Sequence, residues 1–368
     1  MKTIFTFISL FFISLLSYAQ VSQVWESRYS NSGGTDNPYS MALGDSNNVY
    51  VTGSSVSGGA GTEDYATVKY NTNGVKQWVK RYNGSGGGVD IARAIAADYY
   101  GNSYVTGSSA VVSGATDIVT IKYDLNGDTL WTARYNGIAN KNDIGYAIAV
   151  DDSENVYVTG SSEGTIGVHG IFEDYITIKY DSAGTLKWAK PYNGPGTDFD
   201  VAYSICVDYL GNVIVTGESG GGSVSSSDSH QDYATIKYSP TGGIVWTKRY
   251  NGTIASSDDK ANRVAVDTSG NIYVTGKSEG TSSYHDFLTV KYSASGKELW
   301  TKRFNGSGNS NDDAKSIALD DSSNCYVTGS VYNGSTAGLD IETIKYDSTG
   351  KEVWAKAFNI TPNRSLFL

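Results

Sequence analysis

Residues 147–194 read AIAVDDSENVYVTGSSEGTIGVHGIFEDYITIKYDSAGTLKWAKPYNG, and most of the chain is this stretch written again with variations. The tetrad YVTG or IVTG begins at Tyr50, Tyr104, Tyr157, Ile214, Tyr273 and Tyr326, at spacings of 54, 53, 57, 59 and 53 residues. All seven tryptophans keep the same register, at Trp25, Trp78, Trp131, Trp188, Trp246, Trp300 and Trp354, so none is left over for a special role. A period of this size marks a repeat architecture rather than two or three independent domains.

Each unit holds four strand-like segments: A (AIAVD, 147–151), B (NVYVTGSS, 155–162), C (DYITIKY, 174–180) and D (LKWAKPYNG, 186–194). Val, Ile, Thr, Tyr and Trp dominate them, the residues that fit a pleated, half-buried surface, and each is too short for a helix. The C-to-D connections NTNG, DLNG, DSAG, SPTG, SASG and DSTG start with Asp, Asn or Ser and end in Gly, the chemistry of a hairpin turn. The A-to-B connections, such as DYYGN and DTSGN, carry the same turn residues. Each unit is expected to be a four-stranded antiparallel meander. One meander cannot bury both of its faces, so the units must stack around an axis, which predicts an all-β fold, a β-propeller of four-stranded antiparallel blades.

The combination D..GN.YVTG, then D..T.KY...G and a tryptophan, at a period near 55, resembles the SBBP repeat, a β-propeller repeat of bacterial exported and surface proteins. The resemblance runs from about Val21 to Asn359 and implies the fold. It brings no catalytic or ligand motif that maps onto residues here.

The chain has six sets of A, B and C segments but seven D segments, counting VWESRYS around Trp25. Propellers commonly close by pairing an N-terminal outer strand with the inner three strands of the last blade, which hides both edges. If Trp25 plays that part, another A, B and C set is due after Trp354, where the sequence reads NITPNRSLFL instead. The expectation is six full blades plus one extra outer strand; the alternative is an incomplete seven-bladed propeller, the number to which the family's name points.

Residues 1–19 have one lysine, an apolar run from Ile4 to Leu16 and small residues at Ser17 and Ala19, the pattern of a secretory signal peptide. That run is too short to span a bilayer of roughly 30 Å. The expected organisation is a signal peptide over 1–19, one propeller domain over 20–359 and a non-repeat tail over 360–368. The expected location is secreted or extracytoplasmic, in the periplasm or at the cell surface, with no membrane insertion after signal cleavage.

A net charge of −10 argues against a nucleic-acid partner, which requires a basic face. Cys206 and Cys325 lie two blades apart, too far for a disulfide, and are expected to be apolar fillers. His169, His230 and His285 stand at unmatched offsets in B-to-C loops, without local partners for metal or acid-base work. No metal ligand set, cofactor motif or catalytic residue is expected. Two aspartate series recur: Asp36, Asp90, Asp143, Asp200, Asp259 and Asp312 before strand A, and Asp64, Asp117, Asp174, Asp232, Asp286 and Asp340 opening strand C. Both are expected to fix their loops rather than bind a cation, because the carboxylates recur singly.

The B-to-C loops vary most between units, and loops on a rigid scaffold are where binding concentrates. Phe172, Tyr284 and Tyr332 are their unrepeated aromatics and the candidate binding residues. The expected function is a non-enzymatic scaffold or binding module that presents these loops to a protein or glycan at the cell surface. Two alternatives stand beside it: a propeller-type polysaccharide hydrolase or lyase, which needs unrepeated polar residues converging on the axis, and a structural spacer in an envelope or export assembly.

Overall fold

The computed structural model describes residues 23–31, 34–56, 62–164, 172–195, 199–221, 230–252, 257–280, 284–334 and 338–358. The expectations on residues 1–19 and 360–368, on His169 and on most of the B-to-C loop residues lie outside them. Among the described residues the chain forms 24 strands in six four-stranded antiparallel sheets, with one short 3-10 turn at Asp45–Asn47 and no α-helix.

Every sheet is a meander whose strands pair in chain order, as the turn chemistry predicts. Blade 1 is β1 (Asp36–Leu43), β2 (Val49–Val56), β3 (Glu63–Tyr70) and β4 (Lys76–Tyr82). Blade 2 is β5 (Asp90–Ala97), β6 (Ser103–Ala110), β7 (Thr116–Tyr123) and β8 (Thr129–Tyr135). Blade 3 is β9 (Asp143–Val150), β10 (Val156–Glu163), β11 (Glu173–Tyr180) and β12 (Leu186–Tyr192). Blade 4 is β13 (Asp200–Val207), β14 (Val213–Gly220), β15 (Gln231–Tyr238) and β16 (Ile244–Tyr250). Blade 5 is β17 (Asp259–Val266), β18 (Ile272–Glu279), β19 (His285–Tyr292) and β20 (Glu298–Phe304). Blade 6 is β21 (Asp313–Leu319), β22 (Cys325–Tyr332), β23 (Leu339–Tyr346) and β24 (Glu352–Phe358). In each blade these are strands A to D.

The A strands pack on one another from blade to blade, β1 on β5, β5 on β9, β9 on β13, β13 on β17 and β17 on β21. They are the inner strands. Five hydrophobic cores fill the five junctions between consecutive blades; Tyr50 and Tyr65 of blade 1, for example, share a core with Val105, Val119 and Ile121 of blade 2. No comparable core or packing joins β21 to β1 among the described residues.

The tryptophans hold these junctions. Trp131 of strand D packs between Tyr104 of its own blade and Tyr180 of the next, with ring centroids 6.3 and 6.1 Å away. Its Nε1 donates to the carbonyl of Ser182 in the next C-to-D turn at 3.0 Å. The glycine closing that turn, Gly184, has φ +81° and leaves the room the indole needs: a Cβ there would meet Trp131 Cδ2 at 2.6 Å. The final Gly of the C-to-D turns is therefore a seat for the previous blade's tryptophan as well as a turn residue.

The extra outer strand expected around Trp25 does not form: residues 23–30 have no strand hydrogen bonds. The reason is topological, because a D strand pairs with the C strand of its own blade, and no C strand lies beside this segment. Its side chains still alternate, with Trp25, Ser27 and Tyr29 turned to blade 1 and Val24, Glu26 and Arg28 exposed.

Candidate functional site

The first aspartate series fixes its loops as expected, whereas the second is held mainly by arginines of strand D. Asp90, Asp143, Asp200, Asp259 and Asp312 each accept the N–H of a glycine in the preceding loop, such as Gly84 at 2.7 Å and Gly137 at 2.6 Å. Asp64, Asp117, Asp232 and Asp286 instead pair with strand D arginines Arg81, Arg134, Arg249 and Arg303 at 2.8, 3.0, 2.7 and 3.1 Å. At the opposite end of the blades, Asp151 accepts backbone N–H groups of Ser153 and Asn155 and the hydroxyl of Tyr157, and Asp208 and Asp267 hold their A-to-B turns in the same way. These carboxylates are engaged in their own turns.

Phe172, Tyr284 and Tyr332 do not come together. Phe172 meets Phe199 edge-on at 5.5 Å, Tyr284 is exposed, and Tyr332 ends β22 with its N–H donated to Asp312. His285 Nδ1 lies 3.2 Å from Asn311, and no group of His, Cys, Asp and Glu among the described residues has the geometry of a metal site. Burial pushes both thiols, Cys206 and Cys325, up to about 12, so neither is a thiolate at neutral pH.

A different set does converge. Every A strand carries a β-bulge: in blade 2, Ala92 faces Gly107 and Ala94 faces Thr106, which leaves Arg93 without a partner across the ladder. The glycine of VTG allows this, since a Cβ on Gly107 would sit 1.9 Å from the carbonyl oxygen of Ile91. The bulged residue is three positions after the loop aspartate, and it is the place where the units disagree: Tyr39, Arg93, Tyr146, Tyr203, Asn262 and Lys315. Bulges re-aim a side chain and favour sites of function. Here they turn unlike residues together on the inner strands.

From blade 2 to blade 5 these side chains form a continuous row. The Arg93 guanidinium lies 5.4 Å from the centroid of the Tyr146 ring, Tyr146 lies 5.5 Å from Tyr203, and Lys260 Nζ lies 4.1 Å from the Tyr203 centroid. Tyr203 donates its hydroxyl to Glu218 in a short hydrogen bond, and Lys260 pairs with the same carboxylate at 3.3 Å. Asn262 continues the row by donating to Asp313 at 2.6 Å. Arg93 has no carboxylate within ion-pair distance among the described residues, and its Nε is buried without a partner.

Burial, reinforced by Glu218, raises the Tyr203 phenol far above its ordinary range, and burial together with Glu173 raises Tyr146. Both phenols are neutral donors at physiological pH. Burial also raises the Glu173 carboxyl, against a hydrogen bond from Ser161 and with the help of Glu163 and Glu218. The row therefore offers two aromatic rings and two cations, of which one lacks a counter-ion, beside a carboxyl that burial raises. These residues stand out in the sequence only as a varying position three residues after the loop aspartate, following Ala in four of the six units.

Comparison with known proteins bears on the fold. A family model described as SBBP, beta-propeller repeat, matches at residues 77–111, 131–167 and 245–282. An uncharacterized WD repeat-containing protein of Acanthamoeba polyphaga mimivirus is 24% identical across 71% of this chain; the match spans only 25% of that protein's length. Among solved structures, an ulvan lyase from a new family of polysaccharide lyase is 14% identical, with 90% of this chain and 87% of the lyase covered and a TM-score of 0.53. A protein of unknown function from Bacteroides caccae is 12% identical, with 84% and 93% covered and a TM-score of 0.43. At its identity the ulvan lyase shows likeness of fold alone. With six four-stranded blades in place and the family model matching at three positions, the chain carries the SBBP β-propeller repeat.

Proposed function

We propose that this is an exported binding module that takes an acidic polysaccharide on the inner-strand row Arg93, Tyr146, Tyr203 and Lys260. The observation that carries the reading is the row itself: Arg93, Tyr146 and Tyr203 at the bulge position of three successive inner strands, continued by Lys260 of the next. Aromatic faces stack on sugar rings, and a guanidinium without a counter-ion offers a planar fork to a carboxylate or sulfate. The net charge of −10 repels a polyanion at long range, so binding rests on local contacts. Export rests on the signal-like pattern of residues 1–19.

Calorimetric titration with polygalacturonate, dextran sulfate and neutral dextran tests this. The charged polymers are expected to bind and dextran not, with Arg93→Ala lowering affinity about tenfold. Equal affinity for dextran, or an Arg93→Ala variant that binds as the native protein does, sinks the reading.

Eliminative cleavage is a second reading, favoured by the Tyr203 hydroxyl bonded to Glu218 with Lys260 over its ring, and consistent in fold with the ulvan lyase. Release of unsaturated sugar ends from polygalacturonate, lost in Tyr203→Phe, distinguishes it from binding alone.

A further inference from the structure

We infer that the A-to-B turns of blades 2 to 4 take a basic peptide segment, with an arginine of that segment seated at Asp152 between Tyr99 and Tyr209. These turns lie apart from the inner-strand row, whose bulges stand in the first half of the A strands.

The six A-to-B turns meet one geometric need, and each opens on an aspartate. Asp98 and Asp208 hold their own turns, accepting the N–H of Asn102 and of Asn212 at 2.8 and 2.9 Å. The residue after that aspartate is not fixed by the repeat: it reads Ser46, Tyr99, Asp152, Tyr209, Thr268 and Asp321. Turn chemistry asks for a small polar residue at such a place, and two blades put tyrosine there instead. Tyr99 and Tyr209 are 77% and 72% exposed, with Tyr100 and Leu210 exposed beside them. Neither Tyr99 nor Tyr209 belongs to one of the five cores, so packing does not account for them. Exposed aromatics grouped among polar residues mark a surface of association.

The fold sets these three turns side by side. A cleft of about 370 Å³ between the turns of blades 2 and 3 is lined by Tyr99, Tyr100, Asp152 and Glu154. A second, of about 470 Å³ between those of blades 3 and 4, is lined by Asp152, Tyr209 and Leu210. Asp152 thus borders both clefts, with an aromatic wall across each. Two clefts that share one carboxylate fit neighbouring side chains of a single extended segment.

Charge selects the occupant. No lysine or arginine lines either cleft, and the six A-to-B turns together hold nine carboxylates and no cation. The nearest lysines are already committed and buried, Lys122 on Glu154 and Lys237 on Asp208. Asp152, by contrast, is exposed and has no hydrogen bond or ion pair among the described residues. A sugar calls for donors and acceptors in alternation, yet the amides of Asn102, Asn155 and Asn212 are spent on the turn aspartates. A guanidinium brings donors alone, forks onto a carboxylate and stacks on a tyrosine face, which matches what the clefts present.

Fluorescence anisotropy of labelled hexa-arginine titrated with the full chain tests this. Saturable binding is expected, about tenfold weaker for Asp152→Asn and for Tyr209→Thr, the latter being the residue that blade 5 carries at the same place. Both changes fall on exposed turn residues, so thermal unfolding is expected to stay that of the native protein. Glu63→Gln removes the same charge at the opposite end of blade 1 and is expected to leave the affinity unchanged. Absence of binding overturns the proposal, as does a Tyr209→Thr variant that binds as the native protein does. An equal loss in Glu63→Gln also overturns it, because the peptide would then be responding to net charge alone. Displacement of the peptide by maltohexaose assigns the clefts to a neutral sugar and overturns it too.

Discussion

Blades 2 and 6 follow one pattern strand for strand, yet β6 is buried along nearly its whole length whereas β22 alternates buried and half-buried residues. Tyr104 is fully buried and its counterpart Tyr326 is half-buried; Lys122 is buried and Lys345 is not. The same residues thus read as a two-faced core strand in one blade and as a one-faced strand in the other. A blade's second face becomes core only through the blade that follows. The repeat specifies a blade and half of each junction, and the neighbour specifies the rest.

Substitutions at matched positions sharpen this contrast. The largest difference is expected at the tryptophans: Trp131→Ala, inside a complete junction, should cost about 4 kcal/mol in denaturant unfolding, and Trp354→Ala about 1 kcal/mol. Equal costs would show that blade 6 is covered after all. Next come the arginines. Arg134→Ala leaves the buried Asp117 carboxylate unpaired and should cost about 3 kcal/mol, whereas Arg28→Ala, in an exposed pair with Glu26, should stay within about 0.5 kcal/mol.

The smallest effect is a pH dependence inside a covered blade. Burial raises the Asp200 carboxyl to about 6 from its ordinary 3.8, despite hydrogen bonds from Ser219 and Gly194. A raised acid binds its proton more tightly when folded, so its contribution is fully present below pH 3.8 and is lost as pH rises through 6. The Asp200 contribution should fall by about 2 kcal/mol over that window, and Asp200→Asn should remove that share of the slope, leaving that of Asp143, Asp259 and Asp312, which burial also raises. A profile unchanged by Asp200→Asn would place the slope elsewhere.

The fold was legible because repetition multiplies weak signals. One YVTG is a short apolar run, whereas six in register with seven tryptophans fix the blade, its four strands and its turns. The structural role of both aspartate series was legible for the same reason: a residue present in every blade answers a packing need present in every blade. The inner-strand row was not read. Arg93, Tyr146 and Tyr203 lie more than fifty residues apart, and only a bulge that leaves each of them unpaired turns them toward one another.

The sequence by itself determined the local conformations, through alternating β-branched and aromatic residues, turn glycines and aspartate-held loops, and through them the four-stranded blade. The tertiary structure alone decided which faces are covered, that Trp25 holds the tryptophan seat at Gly74 without belonging to a strand, and that unlike bulge residues form one row. Those outcomes depend on contacts between chain segments a blade or more apart, and a local pattern carries no information about what stands on its far side.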